Sequence, residues 1–154
     1  MSDARFEDGR EKPLFLKAFE AEDVQVISAL TQDAIFPGNE ITWLAGERRF
    51  AILLNRFRWE DKGSARHAPE RVQSVLVFDD VKKVQSQGVS RQEGVVHSLL
   101  AIEYQSGDDA AGRIELTLAG DGAIALEVEA LEVTLKDVTK PYVAPSGKAP
   151  DHKD

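Results

Sequence analysis

Four arginines interleaved with apolar residues make the stretch 48–60, RRFAILLNRFRWE, the part of the sequence best suited to binding chemistry. A guanidinium group carries a planar set of donors that matches carboxylate and phosphate groups. On a strand, alternation places Arg56 and Arg58 on one face and Phe57 and Trp59 on the other, and we expect the two aromatic residues to face the core. The candidate ligand- or partner-binding residues are Arg48, Arg49, Asn55, Arg56, Arg58 and Glu60.

These arginines have three interpretations. The first is internal: Arg56 and Arg58 pair with carboxylates of the same chain, such as the group Glu115, Glu127 and Glu129. The second is an external anionic ligand or a protein partner. The third, nucleic acid, is disfavoured because arginines and aromatics alternate here rather than sharing an exposed face. The net charge of −8 also opposes general binding to phosphate backbones. We take the internal interpretation as the default.

The residue types give little support for cysteine chemistry, a metal site or a catalytic serine. The chain contains no cysteine, which excludes disulfides, thiolate metal ligands and cysteine nucleophiles. The three glutamates named above have no accompanying Asp-x-Asp-x-Asp loop or histidine, so we expect no metal and no cofactor. Ser98 and His97 lie outside any G-x-S-x-G context, so no catalytic residue is predicted.

Length and charge distribution indicate one domain. A chain of 154 residues fits a single core. Residues 48–71 contain seven Lys or Arg against three acids, a local charge of +4, whereas residues 93–137 contain ten acids against two basic residues, a local −8. We expect the two blocks to face each other. The predicted organisation is a flexible N-terminus at 1–12, a globular domain at 13–140 and a disordered tail at 141–154.

The sequence gives no sign of a membrane segment. No apolar run reaches the roughly 18 residues that a spanning helix needs. The N-terminus is polar and acidic, unlike a secretion signal. We therefore expect a cytoplasmic protein that does not interact with membranes.

The periodicity of the chain predicts one helix followed by strands. Val24, Ile27 and Ala34 recur at helical spacing, and Pro37 ends the pattern, which predicts a helix at about 20–36. Short alternating segments follow, including a hairpin of 40–44 with 48–59. The fold class predicted is α+β, mostly β: an antiparallel barrel or strongly bent sheet of about seven or eight strands, with a pleckstrin-homology-like barrel as one candidate.

The clearest hairpin is RIELTLAGDGAIALEVEA, residues 113–130. A three-residue loop at 120–122 with a left-handed Gly122 would pair Ala119 with Ala123 and keep apolar residues opposite one another. On the outer face, this register places Glu115 opposite Glu127. Like charges directly across a sheet are unfavourable, so a positive neighbour is expected there.

Three segments carry a resemblance to a known family. AEDVQVISALTQDAI at 21–35, ERRFAILLNRFRWE at 47–60 and GDGAIALEVEALEVTLKDV at 120–138 resemble a bacterial family catalogued only as a domain of unknown function. The resemblance extends from about Leu14 to Tyr142. It implies a stand-alone single domain, and it implies no activity, cofactor or catalytic residue.

The residues favour a non-enzymatic binding or protein-interaction module that uses an exposed sheet edge or the basic end of the strand. The alternative is a metal-independent enzyme that acts on a small anionic substrate through arginine and carboxylate residues. That alternative predicts Arg56 or Arg58 beside a buried acid with a raised pKa. Self-association through an edge strand is left open.

Overall fold

Antiparallel strands account for more than half of the residues that the structure describes. The computed structural model describes residues 13–60 and 70–143. An α-helix, α1 (Ala21–Leu30), follows the first strand, and short 3-10 turns lie at Gly38–Glu40, Ala45–Glu47 and Ala119–Asp121. The eleven strands are β1 (Phe15–Ala18), β2 (Ile35–Pro37), β3 (Ile41–Leu44), β4 (Arg49–Phe57), β5 (Glu70–Phe78), β6 (Val81–Gln87), β7 (Val96–Ser106), β8 (Gly112–Leu118), β9 (Ala123–Val128), β10 (Val133–Asp137) and β11 (Tyr142–Val143).

The strands form one open path rather than a ring. Their hydrogen-bonded order is β1-β10-β5-β4-β2-β7-β8-β9-β6, with β11 beside β5 and β3 beside β4. The prediction of a mostly β, antiparallel fold is confirmed, although the strands are more numerous than the seven or eight expected. A closed barrel and a pleckstrin-homology-like arrangement are not confirmed, because the path ends at β1 and at β6.

Both halves of the sheet contribute to a single core. Ile52 on β4, Leu76 on β5, Leu116 on β8 and Leu126 on β9 are all fully buried, and they belong to one contiguous cluster. A sheet of this width can enclose a single cluster only if it bends strongly. Helix α1 covers part of that core with Val24 and Ile27 and packs against β7 and β1.

The helix is shorter than the predicted range 20–36. It ends at Leu30, and the hydroxyl of Thr31 donates to the carbonyl of Ile27 at 2.8 Å, which ends the helix with a local hydrogen bond. Asp33 then adopts a left-handed φ of 65°. Strand β2 (Ile35–Pro37) lies between β4 and β7, and its residues 35 and 36 were predicted as the end of the helix. Ala34 is buried, as the helical pattern predicts, although it lies beyond the end of the helix.

The β8–β9 hairpin has a different register from the one predicted. Leu116 pairs with Ile124 and Ile114 with Leu126, two positions away from the expected alignment. Gly120 and Asp121 adopt the left-handed backbone, and Gly122 does not. A shift of two residues keeps every side chain on its face, so the apolar alternation fits both registers.

The corrected register changes the charges on the outer face. Glu115 lies opposite Ala125 rather than Glu127, and Arg113 lies opposite Glu127 rather than Glu129. The predicted juxtaposition of two glutamates is therefore wrong.

The predicted termini lie almost entirely outside the described residues. This holds for the N-terminus at 1–12 and for the tail at 141–154, apart from Tyr142–Val143. These two residues form β11, whose backbone pairs with Arg71 and Glu70 of β5.

Candidate functional site

Strand β4 positions most of the residues that the sequence singled out. The predicted β3–β4 hairpin is confirmed, with Ile41 opposite Ile52 and Leu44 opposite Arg49. Phe50, Ile52 and Leu54 point into the core, and Arg56 follows them on the same face. The guanidinium therefore enters the end of an otherwise apolar core.

Arg56 is fully buried and hydrogen-bonded to its surroundings through all its donor groups. Its two terminal nitrogens form a bidentate pair with Glu60, with both N–O distances at 2.8 Å. Nη2 also donates to Asp137 Oδ1 at 3.0 Å, Nε donates to Ser74 Oγ at 3.1 Å, and Nη1 donates to the carbonyl of Phe57 at 3.1 Å. The five N–H groups of the side chain are thus occupied within the protein.

The sheet register brings these partners together. Ser74 on β5 pairs with Leu54 on one side and with Asp137 on the other. Arg56 lies two positions after Leu54 on the same face, so its side chain reaches Ser74 and Asp137 diagonally. Asp137 also accepts from the hydroxyl of Ser74 at 2.6 Å and from the backbone N–H of Leu14 at 2.9 Å. The cluster joins β1, β10, β5 and β4 at one end of the core.

The charge of Arg56 governs the titration of Glu60. Burial by itself would raise the pKa of the Glu60 carboxyl, but the hydrogen bonds and charge of Arg56 outweigh it and hold that pKa below its usual value of 4.5. A general acid at neutral pH needs the opposite shift. Glu60 is therefore an ionised partner of the arginine.

Arg58 extends the same network toward the surface. Its Nη1 donates to Glu70 Oε1 at 2.7 Å, and its Nε lies 3.9 Å from Glu60 Oε2. The prediction that Arg56 and Arg58 pair with carboxylates of the same chain is confirmed. The predicted partners Glu115, Glu127 and Glu129 are wrong, because the actual ones are Glu60, Glu70 and Asp137.

Arg48 and Arg49 lie at the opposite end of β4. Arg48 pairs with Glu129 at 2.6 Å and Arg49 with Asp79 at 2.9 Å, and both arginine side chains are about half exposed. Seven residues of strand separate Arg49 from Arg56, a distance of roughly 23 Å. The six candidate residues are thus distributed along β4 and do not converge on one site.

The other residues of the stretch 48–60 that the sequence singled out are Asn55, Phe57 and Trp59, and each has different surroundings. Asn55 lies opposite Gln73 of β5 on one side and opposite Ile35 of β2 on the other. Along β4, the neighbouring strand on this second side changes from β3 to β2 before Asn55. Phe57 is buried, as predicted, with the guanidinium of Arg71 3.8 Å from its ring centre. Trp59 is 37% exposed, so its predicted place in the core is wrong.

The face of β4 and β5 that points away from the core is also apolar. Ala51 lies opposite Val77 and Leu53 opposite Val75, and all four side chains are only half buried. We call the surface that these four side chains form the outer apolar face; its direct neighbours on β3 and β10 are Thr42, Thr134 and Lys136. Its rim contains large apolar side chains that are at least 36% exposed: Phe15, Ile35, Leu44, Val96 and Val138.

In the other half of the sheet, strands β8 and β9 alternate outward-facing residues, most of them polar, with apolar residues that face the core. On β8 and β9 the outward positions carry Arg113, Glu115, Thr117 and Glu127, while Ile114, Leu116 and Leu126 are buried. Antiparallel sheets with one solvated face normally show this pattern. The outer apolar face therefore departs from the rule, and its signal in the sequence is the continuous apolar run AILL on β4 and the run VLVF on β5.

Two further findings limit the chemistry. Within residues 13–60 and 70–143, no group of three or more histidine, aspartate or glutamate residues is arranged to hold a metal ion. Over the same ranges, no helix has the length and apolar character needed to cross a membrane.

A mostly β, antiparallel domain with an open sheet and a buried arginine–carboxylate cluster defines the structural class. The chain belongs to the DUF2948 family of proteins of unknown function, whose family model matches residues 14–152. The resemblance found in the sequence is thereby confirmed. Neither the curated proteins nor the solved structures contain a match to this chain.

Proposed function

We propose that the protein is a non-enzymatic interaction module that binds a partner protein through the outer apolar face. The observation that carries the proposal is the paired aliphatic surface of Ala51, Leu53, Val75 and Val77 on the side of the sheet opposite the core. Helix α1 packs against β7 and β1 with core residues, so it lies on the inner side. Large contiguous apolar patches on a protein surface typically mark interaction sites.

The rim of this face determines what kind of partner fits. Lys136 lies directly opposite Val75 and Phe15, and its ammonium group is 5.9 Å from the Phe15 ring centre. In the described part of the chain, Lys136 has no carboxylate partner. An apolar partner surface with an acidic fringe would complement both features.

The same charges argue against a second copy of the chain on this face. A second copy would present the same face, on which Asp79 and Glu132 of the described residues are already paired with Arg49 and Lys17, so neither is left to pair with Lys136. Like charges at an interface disfavour association. The occupant that we propose is therefore a different protein.

The arginines at the end of β4 have a structural role next to the outer apolar face. Arg56 and Arg58 hold the end of the core through Glu60, Glu70 and Asp137. Because the donors of Arg56 are already occupied, a substrate could reach them only by displacing carboxylates from a buried cluster. This arrangement favours a binding module over an enzyme that works through Arg56.

The proposal is tested by the mass of the complexes that the protein forms in native lysate. Leu53→Lys places a charge on the outer apolar face, and Thr117→Lys places one on the exposed outer side of β8 as a matched control. We expect wild type and Thr117→Lys to elute in a complex during size-exclusion chromatography, and Leu53→Lys to elute as a monomer with unchanged circular dichroism. Identical elution of all three would overturn the proposal. A dimer of the purified protein that Leu53→Lys dissociates would overturn the choice of a different protein as partner.

A further inference from the structure

An open surface cavity of about 340 Å³ lies at the turn end of the β7–β8 hairpin and is lined by residues of β6, β7, β8 and β9 and of the turn. Its size is at the lower end of the range for small-molecule sites. Its polar and charged lining side chains are Lys82, Gln105, Ser106, Arg113 and Glu127. None of these residues belongs to the outer apolar face or to the cluster around Arg56.

The sheet register places three of these side chains in one row. Gln105 on β7 lies opposite Arg113 on β8, and Arg113 lies opposite Glu127 on β9. Directly opposed side chains of opposite charge normally pair. Within the described residues, however, Arg113 makes its ion pair with Glu115 of its own strand, at 3.4 Å, and none with Glu127. Arg113 and Glu127 both line the cavity, and Glu127, which lies opposite Lys83 on its other side, forms no ion pair within the described residues.

A β-bulge provides the second cation. The register of β6 against β9 shifts between Val81 and Lys83, which leaves Lys82 as the extra residue. Bulges re-aim side chains, and they are frequent beside functional sites. Lys82 lines the cavity whereas Lys83 does not, and Lys82 forms no salt bridge in the part of the chain that the structure describes.

We propose that this cavity binds a small anionic metabolite that also carries an ammonium group. Arg113 and Lys82 hold its carboxylate or phosphate, and Glu127 accepts from the ammonium. The two cations suit the anionic group of such a zwitterion, and the carboxylate suits its ammonium group. The site is independent of the outer apolar face, and the protein would bind this ligand with or without its protein partner.

The proposal is tested with the purified full-length protein by following backbone amide resonances during titration. The probes are phosphoethanolamine, which has a phosphate and an ammonium group, β-alanine, which has a carboxylate and an ammonium group, and inorganic phosphate, which lacks the ammonium. We expect saturable shifts for at least one zwitterion, at residues 105–107, 111–113 and 127. The stronger of the two zwitterions identifies the anionic group, and inorganic phosphate should bind more weakly than phosphoethanolamine.

Two variants, each of which removes one positive charge, distinguish binding at this cavity from nonspecific electrostatic attraction of the ligand. Arg113→Gln removes a charged donor from the cavity and should weaken binding by about tenfold or more. Arg91→Gln changes the net charge equally at an exposed position outside the cavity, and it should leave the affinity unchanged. Shifts that fail to saturate, or equal losses in the two variants, would overturn the proposal. Because Arg113 is about half exposed, the folded state should tolerate its replacement.

Discussion

Nη2 of Arg56 lies 3.0 Å from Oδ1 of Asp137, although 81 positions of sequence separate the two residues. Both side chains are excluded from solvent, with 0% and 3% of their surface exposed. Glu60 approaches the same guanidinium from the end of β4. One arginine thus joins the strand that holds the candidate residues to the last long strand of the sheet.

Removing the buried arginine should strongly destabilise the fold. Arg56→Met keeps most of the side-chain volume but leaves Asp137 buried without its counter-charge, which should lower the free energy of unfolding by about 3 to 5 kcal/mol. Arg48→Met breaks an exposed pair with Glu129 and should cost less than about 1 kcal/mol. Urea denaturation measures both. A small loss in Arg56→Met, comparable to that of Arg48→Met, would contradict the structural role assigned to the cluster.

Glu60 should contribute to stability in a pH-dependent manner. Its pKa is lowered in the folded protein from an ordinary value of 4.5, so its contribution is present above that value and is lost as the pH falls through the folded pKa. The unfolding free energy of wild type should therefore fall more steeply from pH 7 to pH 3 than that of Glu60→Gln. In an Arg56→Met background Glu60 should no longer make the fall steeper than it is with Glu60→Gln, because burial, which raises the pKa, then acts without the arginine. Parallel slopes for wild type and Glu60→Gln would contradict this account.

Neighbouring leucines on β4 should differ sharply in their contribution to stability. Leu54 is 2% exposed in the core, so Leu54→Ala should cost about 2 to 5 kcal/mol. Leu53 is half buried on the outer apolar face, and Leu53→Ala should cost about 1 kcal/mol since no sealed cavity is left. Thermal or chemical unfolding of the two variants makes the comparison. Equal losses would mean that Leu53 is packed as deeply as Leu54, and they would remove the basis for the outer apolar face.

The register of the β8–β9 hairpin can be tested by disulfide formation, since the chain has no cysteine of its own. Glu115 and Ala125 lie directly opposite each other, within the Cα separation that a disulfide requires. The double variant Glu115→Cys, Ala125→Cys should therefore oxidise readily, as seen in non-reducing mass spectrometry. Glu115→Cys with Glu127→Cys pairs residues on a diagonal and should stay reduced. The reverse result would restore the register predicted from the sequence.

The face of a strand on which a side chain lies could be predicted from this sequence more reliably than the residues that the side chain contacts. Alternation along β4 placed Arg56 correctly in line with Phe50, Ile52 and Leu54, because side-chain direction depends only on local geometry. The identity of its partners could not be predicted, since Asp137 reaches it through the order of strands β10, β5 and β4. The hairpin register was ambiguous for a related reason, because a shift of two residues leaves every face unchanged.

Irregular segments account for most of the other differences. Residues 32–36 were predicted to continue the helix, but the helix ends at Leu30, before Thr31 and the left-handed Asp33. On β7, the register shift between Leu99 and Ala101 buries Leu99 and exposes Leu100, which simple alternation cannot anticipate. The outer apolar face was visible as continuous apolar runs, although what such a run packs against is not encoded locally.

The most direct test of the central claim, that the outer apolar face binds a partner protein, is site-specific photo-crosslinking in the cells that produce the protein. A photoreactive amino acid would replace Leu53 in one variant and Thr117, on the exposed outer side of β8, in another. We predict one discrete adduct with a different protein from position 53 and none from position 117. No adduct at position 53, equal labelling at both positions, or an adduct of the chain with itself would contradict the account.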